Sequence, residues 1–385
     1  ETIGQLKDTL SGVVVIETDD LLFGGYGPKY LQGLEILRKS FKFGAWHDLQ
    51  VAPKQYGGVT LFQKKDYGFE VNMSRYLRDH ARSIRIERGK DGPRDPLEKA
   101  NAGEVTGMRA VIGVMNWVCR KSCPHIAGDV SILASKLPEP LVKDLTETNA
   151  AFKRLQATAD VPIKVLPIPL DKIVGVVFTD ASLGNAKDGH SQLAWLACIA
   201  HQDIAVGKES DVSILCWKSH KMTRSASNVL FTESNALSDG LAFMEWLSTW
   251  IGLAKDLHYD IRKRNLNNRE IRLTAVMQKP ESELPKCLAI SDSKSMYDNL
   301  TREQFTGAEK RSALEICVIR DSLYSMDGEI RWVPHEKNAV DCLTKVKGNM
   351  ESLLDLMRAA RYTLVGEEQE LRKRAAYRAA TGKSN

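Results

Sequence analysis

The sequence predicts an α/β chain whose second half forms a mixed five-strand sheet with flanking helices, preceded by an α+β region. Two observations carry this expectation. Short β-branched runs bounded by turn residues, such as "IVGVVF" and "KCLAIS", read as buried strands. From about residue 171 to 345 the order is strand, strand, strand, long helix, strand, helix, helix, strand, helix, which brings strands and helices into one layered unit.

A chain of 385 residues is too long for one ordinary core and predicts two or three domains. At 43% hydrophobic and 27% charged residues it is composed like a folded protein, which excludes a disordered or fibrous class. A net charge of +5 permits a polyanionic partner without requiring one. Seven scattered cysteines, mostly in apolar segments, suit thiols in a reducing compartment and suggest no disulfide framework. No run of eighteen apolar residues and no leader pattern is present, so the reading is intracellular with no membrane partner. A chain that starts at Glu1 and enters a strand almost at once is expected to be part of a longer polyprotein.

In order along the chain, residues 13–16 and 21–23 form a hairpin around two adjacent carboxylates, Asp19 and Asp20. "LQGLEILRKSF" gives a short amphipathic helix, and "YGGVTLFQKKDYGFEVNM" two strands around a Lys-Asp-Tyr-Gly turn. From residue 73 the period becomes helical. Met73, Leu77, Ala81 and Ile84 make one stripe, and Arg75, Arg78, Arg82 and Arg85 make a cationic one. Such a stripe suits phosphate contacts and equally suits a solvated face. "ERGKDGPRDPLEK" is the linker candidate, and residues 104–156 are helical, broken at "CPH" and "LPEP". Cys119, Cys123 and His125 lack a fourth ligand, which favours a structural role over zinc. A Pro-rich break, "PIKVLPIPLDK", precedes a strand beginning near Ile173. The expected divisions are 1–98, 99–170, 171–347 and a helical, then basic tail, 348–385.

Four acids stand out in the second half. Asp180 ends the strand "IVGVVFTD"; Glu233 lies one helical turn before Leu237 and so faces the sheet; Asp292 follows the strand "KCLAIS". Asp341 sits in "IRWVPHEKNAVDCLTK", where a strand ends near Trp332 and a helix is expected from about Asn338. Taken singly, Asp180 and Asp292 also read as caps, Glu233 as an ordinary first-turn acid and Asp341 as a surface charge. Together they can converge at one sheet edge, where clustered carboxylates need compensating cations. Oxygen ligands without a Cys or His set favour two Mg2+ or Mn2+ ions, which about 3.5 to 4 Å apart serve phosphodiester cleavage.

"VVFTDAS", "ILCWKSHKMTRSASNVLFTESNAL", "LAISDSKS", "EKRSALEICVIRDSL" and the acid followed by Leu-Thr-Lys in "VDCLTK" resemble the ribonuclease H domain of copia-type LTR-retrotransposon Pol polyproteins. "GVVVIETDDLLFGG" resembles the hairpin bearing the paired aspartates of a reverse transcriptase palm, and "EVTGMRAVIGVMNWVCRKSCPHIAGDVSILASKL" the family's connecting helices. The resemblance implies a ribonuclease H-like sheet at 171–347, behind a partial palm and thumb-like region at 1–98 and a helical connection at 99–170. It implies that Asp180, Glu233, Asp292 and Asp341 carry two metals, that Asp19 and Asp20 are half of a second metal site, the alternative being a simple acidic hairpin, and that an RNA-DNA hybrid is cut. His335 resembles a loop histidine of retroviral and cellular ribonucleases H, with a proton-transfer or product-release role, or none. Arg75, Arg78, Arg82, Arg85, Lys218 and Lys221 are the implied hybrid-facing cations, and Trp217 reads as core. The remainder of a Pol polyprotein is the implied partner, and the implied location is cytoplasmic, in virus-like particles, and/or nuclear.

The chain departs from the family at Glu17 and Thr18, where an aromatic and an apolar residue precede the paired acids, and at Ala313 and Glu315, where a histidine and an aspartate are usual. Only eighteen residues precede the paired acids, so polymerase activity is not expected of this chain alone. The rival expectation is a non-catalytic remnant that binds nucleic acid or a Pol subunit.

Overall fold

The computed structural model describes residues 10–17, 20–90, 92–185, 189–255, 259–260, 287–302, 310–367, 369, 372 and 376. Strands β1 (Gly12–Glu17) and β2 (Asp20–Gly25) form the expected hairpin, with Glu17 opposite Asp20. Helix α1 (Gly27–Ser40) follows, begun by a proline, but buries no residue, so its apolar stripe is not a core face in this chain.

Strands β3 (Lys54–Tyr56), β4 (Val59–Gln63) and β5 (Phe69–Asn72) build an antiparallel sheet. The turn between β4 and β5 is the expected one: the Lys64 N–H donates to the Gly68 carbonyl, and Tyr67 adopts a positive φ. Helix α2 (Ser74–His80) is shorter than the sequence suggests. Met73, Leu77, Ala81 and Ile84 are buried as the stripe requires, yet the backbone is extended at Ala81. The Arg82 guanidinium donates to the carbonyls of Arg78 and Ala81, capping oxygens that the helix end leaves open. The four arginines therefore do not form one helical face.

Helices α3 (Ala102–Lys121), α4 (Ala127–Ala134) and α5 (Val142–Thr158) break where the sequence predicts, at Cys123–Pro124 and at the Leu-Pro-Glu-Pro segment. Asn101 and Glu104 form a capping box at the start of α3. Arg94 from the linker reaches both oxygens of the buried Glu104 at 2.8 Å, which pins that segment to the helix. Strand β6 (Ile163–Val165) pairs with β5, so the Pro-rich break returns the chain to the first sheet.

The second half opens with β7 (Ile173–Ser182), β8 (Gln192–His201) and β9 (Ser210–Lys221), an antiparallel run. Helix α6 (Val229–Lys255), strand β10 (Cys287–Ser291), helices α7 (Lys294–Thr301) and α8 (Lys310–Ser325), and strand β11 (Glu329–Trp332) follow. The chain then forms α9 (Glu351–Ala359) and β12 (Arg361–Tyr362). The sheet order is β11-β10-β7-β8-β9-β12, with β10 parallel to β7 and β11.

Two expectations need correction. The sheet has six strands rather than five, because two residues of the tail pair with β9, too few to show a period. The helix expected from Asn338 is instead two single turns of 3-10 helix, His335–Lys337 and Asp341–Leu343. The Asn338 amide donates to the Thr179 carbonyl, and this draws the chain onto the sheet before a helix can propagate.

Strand β7 is buried on both faces, which explains its nearly continuous apolar run. On one face Val177, Trp195 and Ala197 share a cluster with Leu237, Leu241 and Met244 of α6. Opposite them, Val176, Phe178 and Leu196 belong to a cluster that extends from Val59 to Leu364 and includes α3, α4 and α5. Helix α6 approaches the sheet closely at Gly240, where a Cβ would lie 2.9 Å from Val177 Cγ2 and 3.2 Å from Trp195 Cβ. Gly240→Val is expected to destabilise the chain by about 1–3 kcal/mol in urea unfolding, the usual scale of overpacking. An unchanged midpoint would mean that the helix does not sit this close.

Candidate active site

The parallel register pairs Ser291 of β10 with Thr179 of β7, so the next residues, Asp292 and Asp180, stand side by side at the ends of adjacent strands. Helix α6 begins at Val229 and buries Leu237 and Leu241 against the sheet, which turns Glu233, one turn earlier, toward the same strand ends. The Ala181 N–H donates to Glu233, while its Oε2 is buried without a hydrogen-bond partner. Asp180, Glu233 and Asp292 each offer an oxygen within 4.8 Å of the others.

Asp341 is not in that group of three but is linked to it. His335 Nδ1 lies 2.8 Å from Asp292 Oδ2, and its Nε2 lies 3.2 Å from Asp341 Oδ1. Asn338 Nδ2 donates to Asp292 Oδ1 at 3.1 Å. The Thr344 hydroxyl donates to Asp180 Oδ2, and the Lys345 ammonium to Asp341 Oδ1. Asn338, Thr344 and Lys345 had no individual role in the sequence reading. Their only signal was nearness to Asp341 in "NAVDCLTK".

Electrostatics at this edge are set first by burial and then by repulsion among the carboxylates. Burial pushes the Asp180 carboxyl up to about 7, with the charges of Asp292 and Asp341 adding to it and Thr344 and Lys345 opposing. Burial, then the charges of Asp180 and Asp292, raises Glu233 well above the ordinary carboxylate range. His335 is raised by its hydrogen bond to Asp292, against burial, with help from Asp341. Burial opposes the charge on Lys345, but its bond to Asp341 and the charges of Asp180, Asp341 and Asp292 outweigh it, and its pKa is raised.

Four carboxylates thus face one ammonium and one imidazole. The partnerless Glu233 oxygen and the all-oxygen donor set fit a hard divalent cation, held by Asp180, Glu233 and Asp292 with Asp341 at the rim.

The remaining expected site residues lie elsewhere. Asp19 is outside the described residues; Asp20 is exposed at the hairpin end, and among the described residues no two further His, Cys, Asp or Glu side chains complete an ion site with it. Arg75 pairs with Asp79 at 3.8 Å and Arg78 with Asp160 at 3.6 Å, while Arg85 is exposed beyond the helix. Lys218 is held by Asp239 at 2.9 Å, and Lys221 is exposed at the end of β9. Trp217 donates its indole N–H to the Cys119 carbonyl at 2.7 Å, a structural contact. Burial pushes Cys119 and Cys123 up to about 12 and about 11 and His125 down to about 4, with His125 Nε2 against the Thr158 hydroxyl. These are core groups that remain neutral at pH 7.

No protein-family model matches the chain, and no curated protein matches it. Among solved structures it is similar to the N-terminal RNase H domain of a Mycobacterium tuberculosis protein, solved as a fusion with maltose-binding protein. That match has 14% identity and a TM-score of 0.26, covering 49% of this chain and 96% of that one. It is also similar to RNase H1 from the halophilic archaeon Halobacterium salinarum, at 14% identity and a TM-score of 0.27, covering 48% and 98%. LC9-RNase H1, described as a type 1 RNase H with the type 2 active-site motif, matches at 13% identity and a TM-score of 0.22, covering 44% and 65%.

The raised Asp180 pKa has a definite sign. Folding binds this proton more tightly than the unfolded chain does, so the stability this group contributes is fully present below the unfolded value of 3.8 and is lost as pH rises to about 7. Without divalent ions, the thermal midpoint is expected to fall across that window relative to Asp180→Asn. Millimolar Mg2+ at pH 8 should raise the wild-type midpoint and leave that of Asp180→Asn nearly unchanged. Equal pH profiles for the two proteins would contradict the electrostatic account.

Proposed function

We propose that the chain is a retroelement Pol fragment whose second half hydrolyses the RNA strand of an RNA-DNA hybrid. The observation that carries this reading is the meeting of Asp180, Glu233 and Asp292 within 4.8 Å at one sheet edge, with Asp341 tied to them through His335. A cluster whose ionisation is opposed by its own members is costly to fold, and a bound divalent pair is the simplest compensation.

Asp180 stands centrally, its charge acting on both Glu233 and Lys345, and is the carboxylate that would take the largest share in holding divalent ions. Glu233 and Asp292 complete the carboxylate set, and Asp341 closes it from the 3-10 turn. Two Mg2+ or Mn2+ ions, if bound there, would supply an activated water and stabilise the leaving oxygen at the scissile phosphate. The protein's own part is to hold the acids convergent, to keep bulk water from Asp180 and Glu233 by burial, and to orient Asp292 through Asn338 and Trp332. His335 is half exposed between Asp292 and Asp341, where an imidazole can carry a proton between the site and solvent. Selection of RNA would rest on duplex shape and the 2′-hydroxyl rather than on base identity.

On this reading the hairpin and connection region belong to an incomplete reverse transcriptase, and polymerisation is not assigned to this chain. The second reading is a non-catalytic remnant. Its specific support is that Lys345 already neutralises Asp341 and that Lys218 is engaged by Asp239, leaving fewer free cations for substrate.

Labelled RNA-DNA hybrid, duplex DNA and duplex RNA incubated with and without Mg2+ separate the readings. Hybrid cleavage that requires Mg2+ is expected, reduced by ~10²-fold or more in Asp180→Asn, Glu233→Gln and Asp292→Asn, the scale of losing transition-state charge stabilisation. Cleavage of duplex DNA alone would reject the substrate assignment, and hybrid binding without cleavage would favour the remnant.

A further inference from the structure

We propose that helix α4 of the connecting region is a clamp that sets the position of the fourth carboxylate, with Gly128 and Asp129 acting as positioning residues for the metal site. The inference rests on the metal reading above but concerns residues far from the acids in sequence.

The segment from Asp341 to Lys347 carries three groups of the site: Asp341 itself, the Thr344 hydroxyl on Asp180 and the Lys345 ammonium on Asp341. It contains one turn of 3-10 helix, too short to hold its own shape. Asn185 and Ser219 donate to its Thr344 and Leu343 carbonyls, and α4 supplies a further, closer hold. At Gly128 the helix backbone touches the segment so closely that a Cβ would lie 2.4 Å from the Cys342 carbonyl oxygen and 2.7 Å from the Leu343 carbonyl carbon. Only glycine permits this approach.

One residue on, the buried Asp129 carboxylate accepts from the Lys347 backbone N–H at 3.0 Å and from Arg154 at 2.6 Å. Lys347 is one of the few non-glycine residues with a positive φ, a conformation that needs support from its surroundings. A third, indirect link runs from Ser131 through β8 and β9. Gln192 Nε2 donates to Ser131 Oγ at 2.7 Å and to Ser219 Oγ at 2.8 Å, and Ser219 in turn donates to the Leu343 carbonyl at 2.6 Å.

Gly128 and Asp129 meet the segment directly and Ser131 is linked to it through Gln192 and Ser219, and none of the three has a hydrogen bond to the four carboxylates among the described residues. Their role is therefore to fix where Asp341 and Thr344 stand. It follows that the connecting helices complete the nuclease site, rather than only preceding it in the chain. The sequence stretch "SCPHIAGDVS", which first drew notice for Cys123 and His125, has its consequence three and four residues later, at Gly128 and Asp129.

The test uses the whole chain with Gly128→Ala and Asp129→Ala, the second serving if the first does not fold. Mn2+ affinity is measured by electron paramagnetic resonance, and backbone amide exchange by mass spectrometry. Roughly tenfold weaker Mn2+ binding is expected, the scale seen when a group supporting a metal ligand is lost. Exchange at Leu343 and Thr344, whose N–H groups bond within their own turn, should quicken roughly tenfold while β7 and β8 stay protected. Wild-type Mn2+ affinity and exchange in both variants would overturn the clamp, and so would faster exchange spread evenly over the whole chain. If the wild-type chain binds no Mn2+, the metal reading fails, and exchange at Leu343 and Thr344 still decides the clamp.

Discussion

The burial of mutually repelling carboxylates at the ends of β7 and β10 is the constraint on which the rest of the structure depends. A parallel strand pair places Asp180 and Asp292 next to each other whether or not their charges agree. Helix α6 adds Glu233, since the residues that anchor it, Leu237, Leu241 and Met244, fix which side of its first turn faces the sheet. Left alone, such a cluster would favour opening or protonation. Lys345, His335, Thr344 and Asn338 offset part of that cost from a single irregular segment. The balance left over is what suits the edge to divalent cations.

This arrangement explains why the molecule is built with the helical region against the sheet. One apolar cluster runs from Val59 in the first sheet through α3, α4 and α5 to Leu364 beside β12. Strand β6 ties the helical region back to β5, and α4 lies over the 3-10 turn that carries Asp341. That cluster includes residues from both sides of the Pro-rich break before Ile173. A linker in sequence can be a structural joint in space when its side chains find buried partners, as Arg94 does with Glu104.

Much of the candidate site was legible in sequence because its acids sit on strongly patterned elements. The β7 and β10 runs are buried on both sides and read as strands, so their terminal aspartates were placed by counting. Glu233 was placed by the spacing to Leu237. What escaped was short or held by tertiary contacts. Strand β12 has two residues and β6 has three, below any measurable period. The arginine stripe looked helical through Arg85, but the helix ends at His80, where Arg82 caps the open carbonyls. The turn at Asp341 was misread as a helix because nothing local announces that Asn338 will bond to Thr179, 159 residues earlier. The roles of Thr344, Lys345 and Gly128 are equally non-local.

The most direct measurement of the central claim is anomalous diffraction from crystals of the full chain soaked in Mn2+. The account predicts two anomalous peaks at this edge within reach of Asp180, Glu233 and Asp292, with the Lys345 ammonium displaced from the cluster. A single ammonium still seated among the acids, with manganese elsewhere or absent, would contradict it.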